Sequence, residues 1–324
     1  MDTTPERLHG FHDAHPPVDD FRADVLDGLT RPDQKVLFPK YLYDTAGSHL
    51  FDRICGLPEY YPTRTEMAIL RERLPAIREA VADADTLVEI GSGSTAKIRL
   101  MLDGLDRLRR YVPVDISRGH LVESARSLAV DHPDLEVLPV CADFTRLDTV
   151  PRDLLRGRPM AFFPGSTIGN FEPGDAVQLL AACAAFIGTG ARLVIGADLV
   201  KDREVLRRAY DDSLGVTAAF NRNLLARIQR ELGGDLDPDA FAHEARWNAA
   251  RSRIEMHLVA TRPVTAQVAG QRITVAEGES IHTESSHKFT LRGFQDLAAE
   301  GGFRPVDCWT DPEDLFSVHL LEVG

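Results

Sequence analysis

Residues 88–97 read VEIGSGSTAK, in which a short apolar run leads into a glycine-rich turn and then into a helical pattern. Glycines at such a turn let the backbone approach a ligand closely, and the amino end of the following helix favours negative charge. Residues 91–96 also fit the G-x-G-x-x-A fingerprint of dinucleotide-binding folds. The segment therefore predicts a nucleotide-type ligand at the end of a strand, and a tight turn without a ligand is the alternative.

From this segment onward, the middle of the chain alternates β-rich runs with helical patterns, as is typical of a parallel sheet with crossover helices. Helices are predicted at Ala96–Leu105, His120–Val130 and Ala176–Ile187, and the last is apolar almost all round, so we expect it to be buried. The predicted strands are Thr86–Ile90, Tyr111–Asp115, Leu135–Val140, Met160–Phe163 and Arg192–Ala197.

After Asp198 the pattern changes. A long helix is predicted over residues 202–232, followed by a Gly/Asp/Pro break and a short helix. Three runs with turn residues between them then predict an antiparallel meander: Ser252–Thr261, Val264–Val268 and Gln271–Val275. The α/β pattern resumes near residue 290 with a helix, Leu291–Glu300, and two strands, Phe303–Trp309 and Phe316–Val323.

The fold class predicted from this order is α/β, with a doubly wound, mostly parallel sheet. We assign this sheet to residues 63–198 and 290–324, and a smaller α+β domain to residues 1–62 and 199–289. The N-terminal segment up to about Pro62 is expected to have no place in the sheet. The ligand site is expected at the carboxyl ends of the parallel strands.

Composition and charge narrow the function. The 324 residues are 44% apolar, enough for a large core, and the net charge of −13 makes nucleic acid and anionic membranes poor partners. No apolar run approaches the roughly 18 residues of a membrane span, and the first residues do not resemble a signal peptide. The four cysteines are isolated and follow no metal spacing, so we expect a cytoplasmic protein without a metal. No obligate protein partner is evident.

Two further loops bear on the ligand. Asp115 closes the second strand, where a carboxylate can accept both ribose hydroxyls of NAD or of S-adenosylmethionine, although it could instead cap the next helix on the surface. Asp143 and Phe144 follow the third strand. A methyltransferase commonly places an acidic residue there against the adenine amino group and an apolar one against the ring, and a dehydrogenase has no such requirement. The three loops in this order favour S-adenosylmethionine over NAD.

A fourth loop, FFPGSTIGNFEP at residues 162–173, follows the fourth strand. Class I methyltransferases place the reacting amine at this position. Its two glycines keep the loop close to the ligand, and Asn170 offers both donors and an acceptor to a zwitterion. A purely structural Gly-Asn turn is the alternative.

With these residues in view, the sequence resembles the histidine-specific Nα-methyltransferases of ergothioneine biosynthesis, from about Lys40 to the C-terminus. The resemblance implies a Rossmann-like class I fold and three methyl transfers from S-adenosylmethionine to the α-amine of L-histidine, giving hercynine. The motifs that carry it are YLYD (41–44), LPEYYPTRTE (57–66), GSGS (91–94), GSTIGN (165–170), IEMHL (254–258) and HTESSHKF (282–289).

The same resemblance implies roles for individual residues. It places three residues at the reacting amine: Tyr43, Gly165 and Asn170. The residues that it implies for cofactor binding are Tyr43, Gly91, Lys97, Asp115, Asp143 and Phe144. Those that it implies for histidine binding are Asn170 and Tyr210 at the amino-acid head, and Tyr60, Met256, Glu284 and Ser286 around the imidazole.

The chemistry of the last group is consistent with imidazole binding. Glu284 can accept an imidazole N–H, and Ser286 can donate to or accept from the other ring nitrogen. The two residues are two positions apart, so on an extended segment their side chains point to the same face. Met256 as a core residue, Tyr60 as a packing aromatic and Glu284 at a solvated strand edge are the alternatives. Another amino acid, such as tryptophan, is the alternative substrate.

Overall fold

The structure is a computed structural model that describes residues 8–14, 18–92 and 95–324, so Gly93 and Ser94 of the predicted cofactor loop lie outside the described residues. The helices are α1 (Val18–Thr30), α2 (Thr45–Cys55), α3 (Tyr61–Ala80), α4 (Thr95–Gly104), α5 (Arg118–Asp131), α6 (Pro173–Ile187), α7 (Arg203–Tyr210), α8 (Val216–Leu232) and α9 (Leu291–Glu300). The strands are β1 (His12–Ala14), β2 (Lys35–Val36), β3 (Thr86–Ile90), β4 (Arg110–Asp115), β5 (Glu136–Val137), β6 (Val140–Ala142), β7 (Pro159–Phe163), β8 (Arg192–Asp198), β9 (Phe241–Asn248), β10 (Arg253–Ala260), β11 (Val264–Val268), β12 (Gln271–Val275), β13 (Ser280–His287), β14 (Phe303–Thr310) and β15 (Phe316–Val323).

These elements form two compact units. The first consists of the described residues within Met1–His15, Pro62–Val200 and Lys288–Gly324, and the second of those within Pro16–Tyr61 and Lys201–His287. The assignment of cofactor binding to residues 63–198 and 290–324, and of substrate binding to residues 1–62 and 199–289, stays a prediction.

The first unit is built on a nine-stranded sheet in the order β1-β6-β4-β3-β7-β8-β15-β14, with β5 beside β4. Strands β1 to β8 in this series run parallel, and β15 is antiparallel to both β8 and β14. Successive strands are added on one side of β3 as far as β6 and then on the other side from β7 onward. A doubly wound sheet offers its ligand crevice at such a reversal of strand order, outside the carboxyl ends of the strands.

The central strands are buried on both faces, which is why they read as nearly continuous apolar runs. All five residues of β3 are buried. Val88 and Ile90 pack on one side with α6 and α9, whereas Leu87 packs on the other with α3, α4 and α5, because successive side chains of a strand alternate between faces. The apolar helix α6 is buried along most of its length, as its sequence predicts.

Two predictions for this sheet are wrong. The N-terminal segment does enter the sheet, because β1 pairs in parallel with β6 and the N–H of His12 donates to the carbonyl of Pro139 at 3.0 Å. Three residues carry too little pattern to predict an edge strand. The single strand predicted at Leu135–Val140 is two short strands, β5 and β6, since Pro139 between them has no N–H to donate to a ladder.

The second unit contains a mixed four-stranded sheet in the order β2-β13-β10-β9 and a separate hairpin of β11 and β12. Strands β13, β10 and β9 are antiparallel, and β2 is parallel to β13. Helices α7 and α8 pack against β9 and β10, and α2 packs against α8. This sheet therefore has one face covered by helices.

Three predictions for this unit are wrong. The long helix over 202–232 is two helices, because Asp212 accepts the N–H groups of Val216 and Thr217 (3.0 and 2.7 Å) and so starts α8 anew. The short helix expected after the Gly/Asp/Pro break is one 3-10 turn, Pro238–Ala240, followed by β9. The meander is also wrong, since β10 pairs with β9 and β13 while β11 and β12 pair only with each other.

A buried ion pair joins the end of β8 to the segment before α9 in the first unit. The Nζ of Lys288 lies 2.7 Å from Oδ2 of Asp198, and both side chains are at most 1% exposed. The backbone N–H of Asp198 also donates to Oγ of Ser166 at 2.9 Å, and its carbonyl accepts the N–H of Phe289. One residue thus connects three segments of the chain.

We predict that Asp198→Asn lowers the free energy of unfolding by about 3–5 kcal/mol, because it leaves the Lys288 ammonium buried without its countercharge. Urea denaturation followed by circular dichroism measures this. The matched control is Asp296→Asn, which breaks the exposed pair with Arg292 (2.9 Å) and should cost less than about 1 kcal/mol. Equal, small losses in the two variants would contradict the prediction.

Candidate active site

Loops after three adjacent strands of the first unit bring together four of the predicted cofactor residues. Gly91 follows β3, Asp115 ends β4, and Asp143 and Phe144 follow β6. Gly91 has a φ of +73°, its N–H donates to the carbonyl of Val114 at 2.9 Å, and a Cβ at this position would lie 3.7 Å from Cε1 of Phe144. A side chain at position 91 would therefore touch Phe144, so the absence of a Cβ keeps the space between the first and third loops open at the point where the strand order reverses.

The two carboxylates of this group are held by local hydrogen bonds. Asp115 is half-buried and accepts the N–H of Ser117 at 2.7 Å. Burial raises the pKa of Asp115, although the hydrogen bond from the Ser117 backbone acts in the opposite direction. Asp143 accepts the N–H and the hydroxyl of Thr145 at 3.0 and 2.6 Å. Phe144 packs edge-on against Phe163, with ring centroids 5.9 Å apart. These bonds fix the orientation of both carboxylates at the edge of the sheet.

Glu89, to which the sequence analysis gave no role, is the buried penultimate residue of β3. The hydroxyl of Tyr111 donates to its Oε2, and its Oε1 has no hydrogen-bond partner among the residues that the structure describes. Burial raises the pKa of Glu89 to about 7. A charged residue inside the otherwise apolar run of residues 86–90 was the available signal.

Lys97 and Gly165, both predicted site residues, are joined by a second residue without an assigned role. Oε2 of Glu66, on α3, lies 2.5 Å from Nζ of Lys97 and forms an ion pair with it. The N–H of Gly165 donates to both carboxylate oxygens of Glu66, Oε2 at 2.9 Å and Oε1 at 3.0 Å. The side chains of Glu66 and Lys97 are 1% and 5% exposed. Glu66 falls inside the LPEYYPTRTE motif, so its position in a motif was the only sequence signal.

The loop after β7 continues from Gly165 to Asn170. Gly165 and Ser166 both have left-handed backbone conformations, with φ of +84° and +57°. The loop then forms a 3-10 turn, Thr167–Asn170, and Asn170 is half-buried at its end. Two consecutive left-handed residues turn the chain sharply at the carboxyl end of a central strand.

In the second unit, the predicted imidazole residues share one face of the antiparallel pair β10 and β13. Met256 lies opposite Glu284 and Ile254 opposite Ser286, so their four side chains point the same way. All are buried, and Glu284 is 7% exposed. Because Glu284 is buried, the interpretation of Glu284 as a solvated strand-edge residue is excluded. The hydroxyl of Tyr210 donates to Oγ of Ser286 at 2.9 Å.

Aromatic side chains extend this group. The rings of Tyr60 and Tyr210 lie 6.1 Å apart, and Phe51 contacts both Tyr60 (6.2 Å) and Tyr43 (5.6 Å). Burial raises the pKa of Tyr60 well above its usual range, and the nearby Tyr210, Cys55, Tyr43 and Glu284 raise it further. Tyr60 is therefore a neutral phenol. The fold brings four predicted residues together from three separate segments of the chain: Tyr60, Tyr210, Glu284 and Ser286.

A β-bulge precedes Glu284. Met256 pairs with Glu284 and His257 with His282, which leaves Thr283 without a partner across the ladder, and the Thr283 hydroxyl donates to the Met256 carbonyl at 3.0 Å. Because of the extra residue, His282 and Glu284 lie on opposite faces of the sheet although they are two positions apart, and the His282 ring stacks on that of His257 at 5.0 Å. Residues two positions apart therefore share a face in the case of Glu284 and Ser286, whereas His282 and Glu284 do not share one.

A buried polar chain supports Tyr210 and the bulge from α8 and β9. Asn221 donates from Nδ2 to Nδ1 of His243 at 2.9 Å and to the carbonyl of His257 at 3.2 Å, and Nε2 of His243 donates to the carbonyl of Tyr210 at 2.8 Å. Burial lowers the pKa of His243, consistent with a neutral ring. The sequence offered no signal for this chain, because β9 itself was not predicted.

Within the described ranges, no three His, Cys, Asp or Glu residues are grouped so that they could hold a metal ion. Among the helices that the structure describes, none has the length and apolar character needed to cross a membrane.

Residues 21–323 match the profile of a family described as histidine-specific, S-adenosylmethionine-dependent methyltransferases. The chain belongs to this family. Its methyl donor is therefore S-adenosylmethionine, and its α/β fold is the Rossmann-like fold of class I methyltransferases.

Three relatives show the range of similarity. The histidine N-alpha-methyltransferase of Mycolicibacterium smegmatis is 46% identical over 92% of this chain and 94% of its own length. The ergothioneine biosynthesis protein 1 of Schizosaccharomyces pombe is 26% identical over 86% of this chain and 38% of its own. The 4-dimethylallyltryptophan N-methyltransferase easF of Aspergillus fumigatus is 24% identical over 92% of this chain and 95% of its own.

The raised pKa of Glu89 predicts a pH dependence of stability. Between pH 4.5, its ordinary pKa, and about 7, the native state keeps a proton that the unfolded state has released, so this group's contribution to stability falls as pH rises. The Glu89→Gln variant has no carboxyl group at this position, so it lacks this pH-dependent loss of stability. The stability of wild type minus that of Glu89→Gln should fall by on the order of 3 kcal/mol from pH 4.5 to 8.

Urea denaturation of the ligand-free proteins at several pH values measures the difference. The exposed Glu72→Gln on α3 serves as the control and should show no such trend. A wild-type minus Glu89→Gln difference that stays constant with pH would contradict the prediction.

Proposed function

We propose that this protein transfers three methyl groups in succession from S-adenosylmethionine to the α-amine of L-histidine, giving hercynine for ergothioneine biosynthesis. The observation that carries the proposal is the buried Glu284 carboxylate, which shares a sheet face with Ser286 and lies opposite Met256. The name of the M. smegmatis relative supports the α-amine as the acceptor.

The second unit supplies the specificity in this proposal. Glu284 accepts one imidazole N–H and Ser286, whose hydroxyl also accepts from Tyr210, bonds the other ring nitrogen. Met256 packs against the flat face of the ring, and Tyr60 closes the imidazole site as a neutral phenol. A buried carboxylate left without such a donor costs free energy, so the site disfavours amino acids whose rings lack these nitrogens.

The first unit supplies the methyl donor's site in this proposal. Asp115 would hold the ribose hydroxyls, Asp143 the adenine amino group and Phe144 the adenine ring, and Gly91 and Lys97 would hold the amino-acid end of the cofactor. The fit rests on the left-handed Gly91, where an added Cβ would lie 3.7 Å from the Phe144 ring, and on the half-buried Asp115 at the strand end. When bound, S-adenosylmethionine supplies an electrophilic methyl group on a sulfonium.

The residues at the amine work mainly by alignment, because an in-line displacement requires the nitrogen lone pair to point at the methyl carbon. The resemblance supports roles for Asn170 and Tyr210 in binding the amino-acid head, and for Tyr43 and Gly165 in binding the amine. These groups are neutral, so they add no charge that would repel the sulfonium. The amine must be neutral to react, and after three transfers the quaternary nitrogen has no lone pair, so the reaction stops.

We also propose that the reaction takes place in the cytoplasm. All four cysteines are thiols rather than disulfides, which suits a reducing compartment.

Product analysis tests the proposed function. Incubation with S-adenosylmethionine and a panel of amino acids, followed by mass spectrometry, should show mono-, di- and trimethylated histidine and little product from tryptophan. Binding of both ligands without turnover would indicate a sensor instead of an enzyme. Tryptophan methylation would favour the alternative substrate, and a methylated imidazole with a free α-amine would contradict the proposed orientation. Tight binding of NADH would favour an oxidoreductase.

The role of Glu284 gives the sharpest prediction. Glu284→Ala should lower kcat/KM for histidine by about 10- to 100-fold, the effect of losing a charge-assisted hydrogen bond, and leave S-adenosylmethionine affinity nearly unchanged. It should also narrow the gap between histidine and phenylalanine. The control is Glu244→Ala on β9, whose side chain is 48% exposed and should leave kcat/KM unchanged. Equal losses for histidine and phenylalanine would show that Glu284 supports the fold and does not bind the ring.

A further inference from the structure

Glu66 occupies a site in the first unit that is built for a carboxylate. Its side chain is 1% exposed, and it receives the Lys97 ammonium and the Gly165 N–H. Opposite it, β8 carries Gly196, and a Cβ at that position would collide with Oε1 of Glu66. The absence of a side chain at Gly196 thus makes room for the Glu66 carboxylate. A buried carboxylate needs such partners, since an unpaired one is strongly disfavoured.

The partner of Glu66 is a cation that the resemblance implies in cofactor binding. Lys97 is 5% exposed and lies close enough to Glu89 to influence it electrostatically. The methyl donor carries a positive sulfonium, whereas its demethylated product, S-adenosylhomocysteine, is a neutral thioether. An uncompensated ammonium in this interior would therefore repel the donor and leave the sulfur of the product unaffected. Glu66 cancels that charge within hydrogen-bond distance.

The same carboxylate holds the backbone of the loop after β7. Gly165 and Ser166 adopt left-handed conformations, and for Ser166 such a conformation is strained. Glu66 accepts the N–H at the first of these residues, and the N–H of Asp198 donates to the Ser166 hydroxyl at the second. The compensation of the Lys97 charge and the position of the Gly165 backbone therefore both depend on the Glu66 side chain.

We propose that Glu66 is a positioning residue that determines how the cofactor site discriminates between the cationic donor and its neutral product. It does so by neutralising Lys97 and by anchoring Gly165. This inference rests on the proposed function, since it takes S-adenosylmethionine to be bound beside Lys97.

The test is the ratio of the dissociation constants for S-adenosylmethionine and S-adenosylhomocysteine, measured by calorimetry without histidine. In Glu66→Gln the ratio should rise by about tenfold, because the unpaired ammonium opposes only the sulfonium. In Lys97→Met it should fall below the wild-type value, because Glu66 then stands alone as an anion. In Glu66→Gln/Lys97→Met it should return close to wild type.

The exposed Glu72→Gln on the same helix serves as the control and should leave the ratio unchanged. Circular dichroism verifies that each variant is folded, and if Glu66→Gln is not, the opposite shift in Lys97→Met and its reversal in the double variant still decide the matter. Parallel weakening of both ligands in every folded variant would overturn the proposal and reduce Glu66 to a structural role. Because histidine methylation is assessed separately on the wild type, such a result would leave the methyltransferase assignment intact.

Discussion

The reversal of strand order at β3 is the constraint on which the rest of the first unit depends. With β4 and β6 on one side of β3 and β7 on the other, the loops after all four strands emerge at one edge of the sheet. Because the strands are parallel, their carboxyl ends lie at the same edge of the sheet. The residues that follow them therefore also lie at this edge: the left-handed Gly91, the half-buried Asp115, Asp143 and Phe144. Chain connectivity, and not proximity in sequence, assembles these residues.

Two buried ion pairs of the first unit neutralise charges in its interior, and the same residues also hold a loop. Glu66 pairs with Lys97 and fixes Gly165, whereas Asp198 pairs with Lys288 and fixes Ser166. Buried ion pairs of this kind contribute little net stability compared with apolar packing, but removing one partner is costly. Their value here is that two neighbouring left-handed residues each have a separate anchor.

The sequence predicted elements best where turn residues bound a clear pattern and worst where polar residues face a site. Five elements were located to the residue, because their patterns are regular and bounded by turn residues: β3, β11, β12, α9 and β15. β9 and β13 contain His, Glu, Arg and Ser at positions that burial and pairing make favourable only in the folded sheet, so no local pattern revealed β9. For the same reason the motif containing Glu66 was visible in the sequence, but its contacts with Lys97 and Gly165 were not.

The bulge at Thr283 separates two properties of a strand: the face that each side chain occupies, and the local kink and twist of the backbone. Because Met256 faces Glu284 and His257 faces His282, Thr283 is a supernumerary residue in an otherwise regular ladder. A chain without it would keep every flanking side chain on its present face and lose only the local kink and added twist. Which residues share a face is therefore set by alternation on each side of Thr283, whereas the local kink is set by this one inserted residue. Insertion or deletion of a single residue at this position would consequently change the tilt of the face that carries Glu284 while preserving the side chains that it presents.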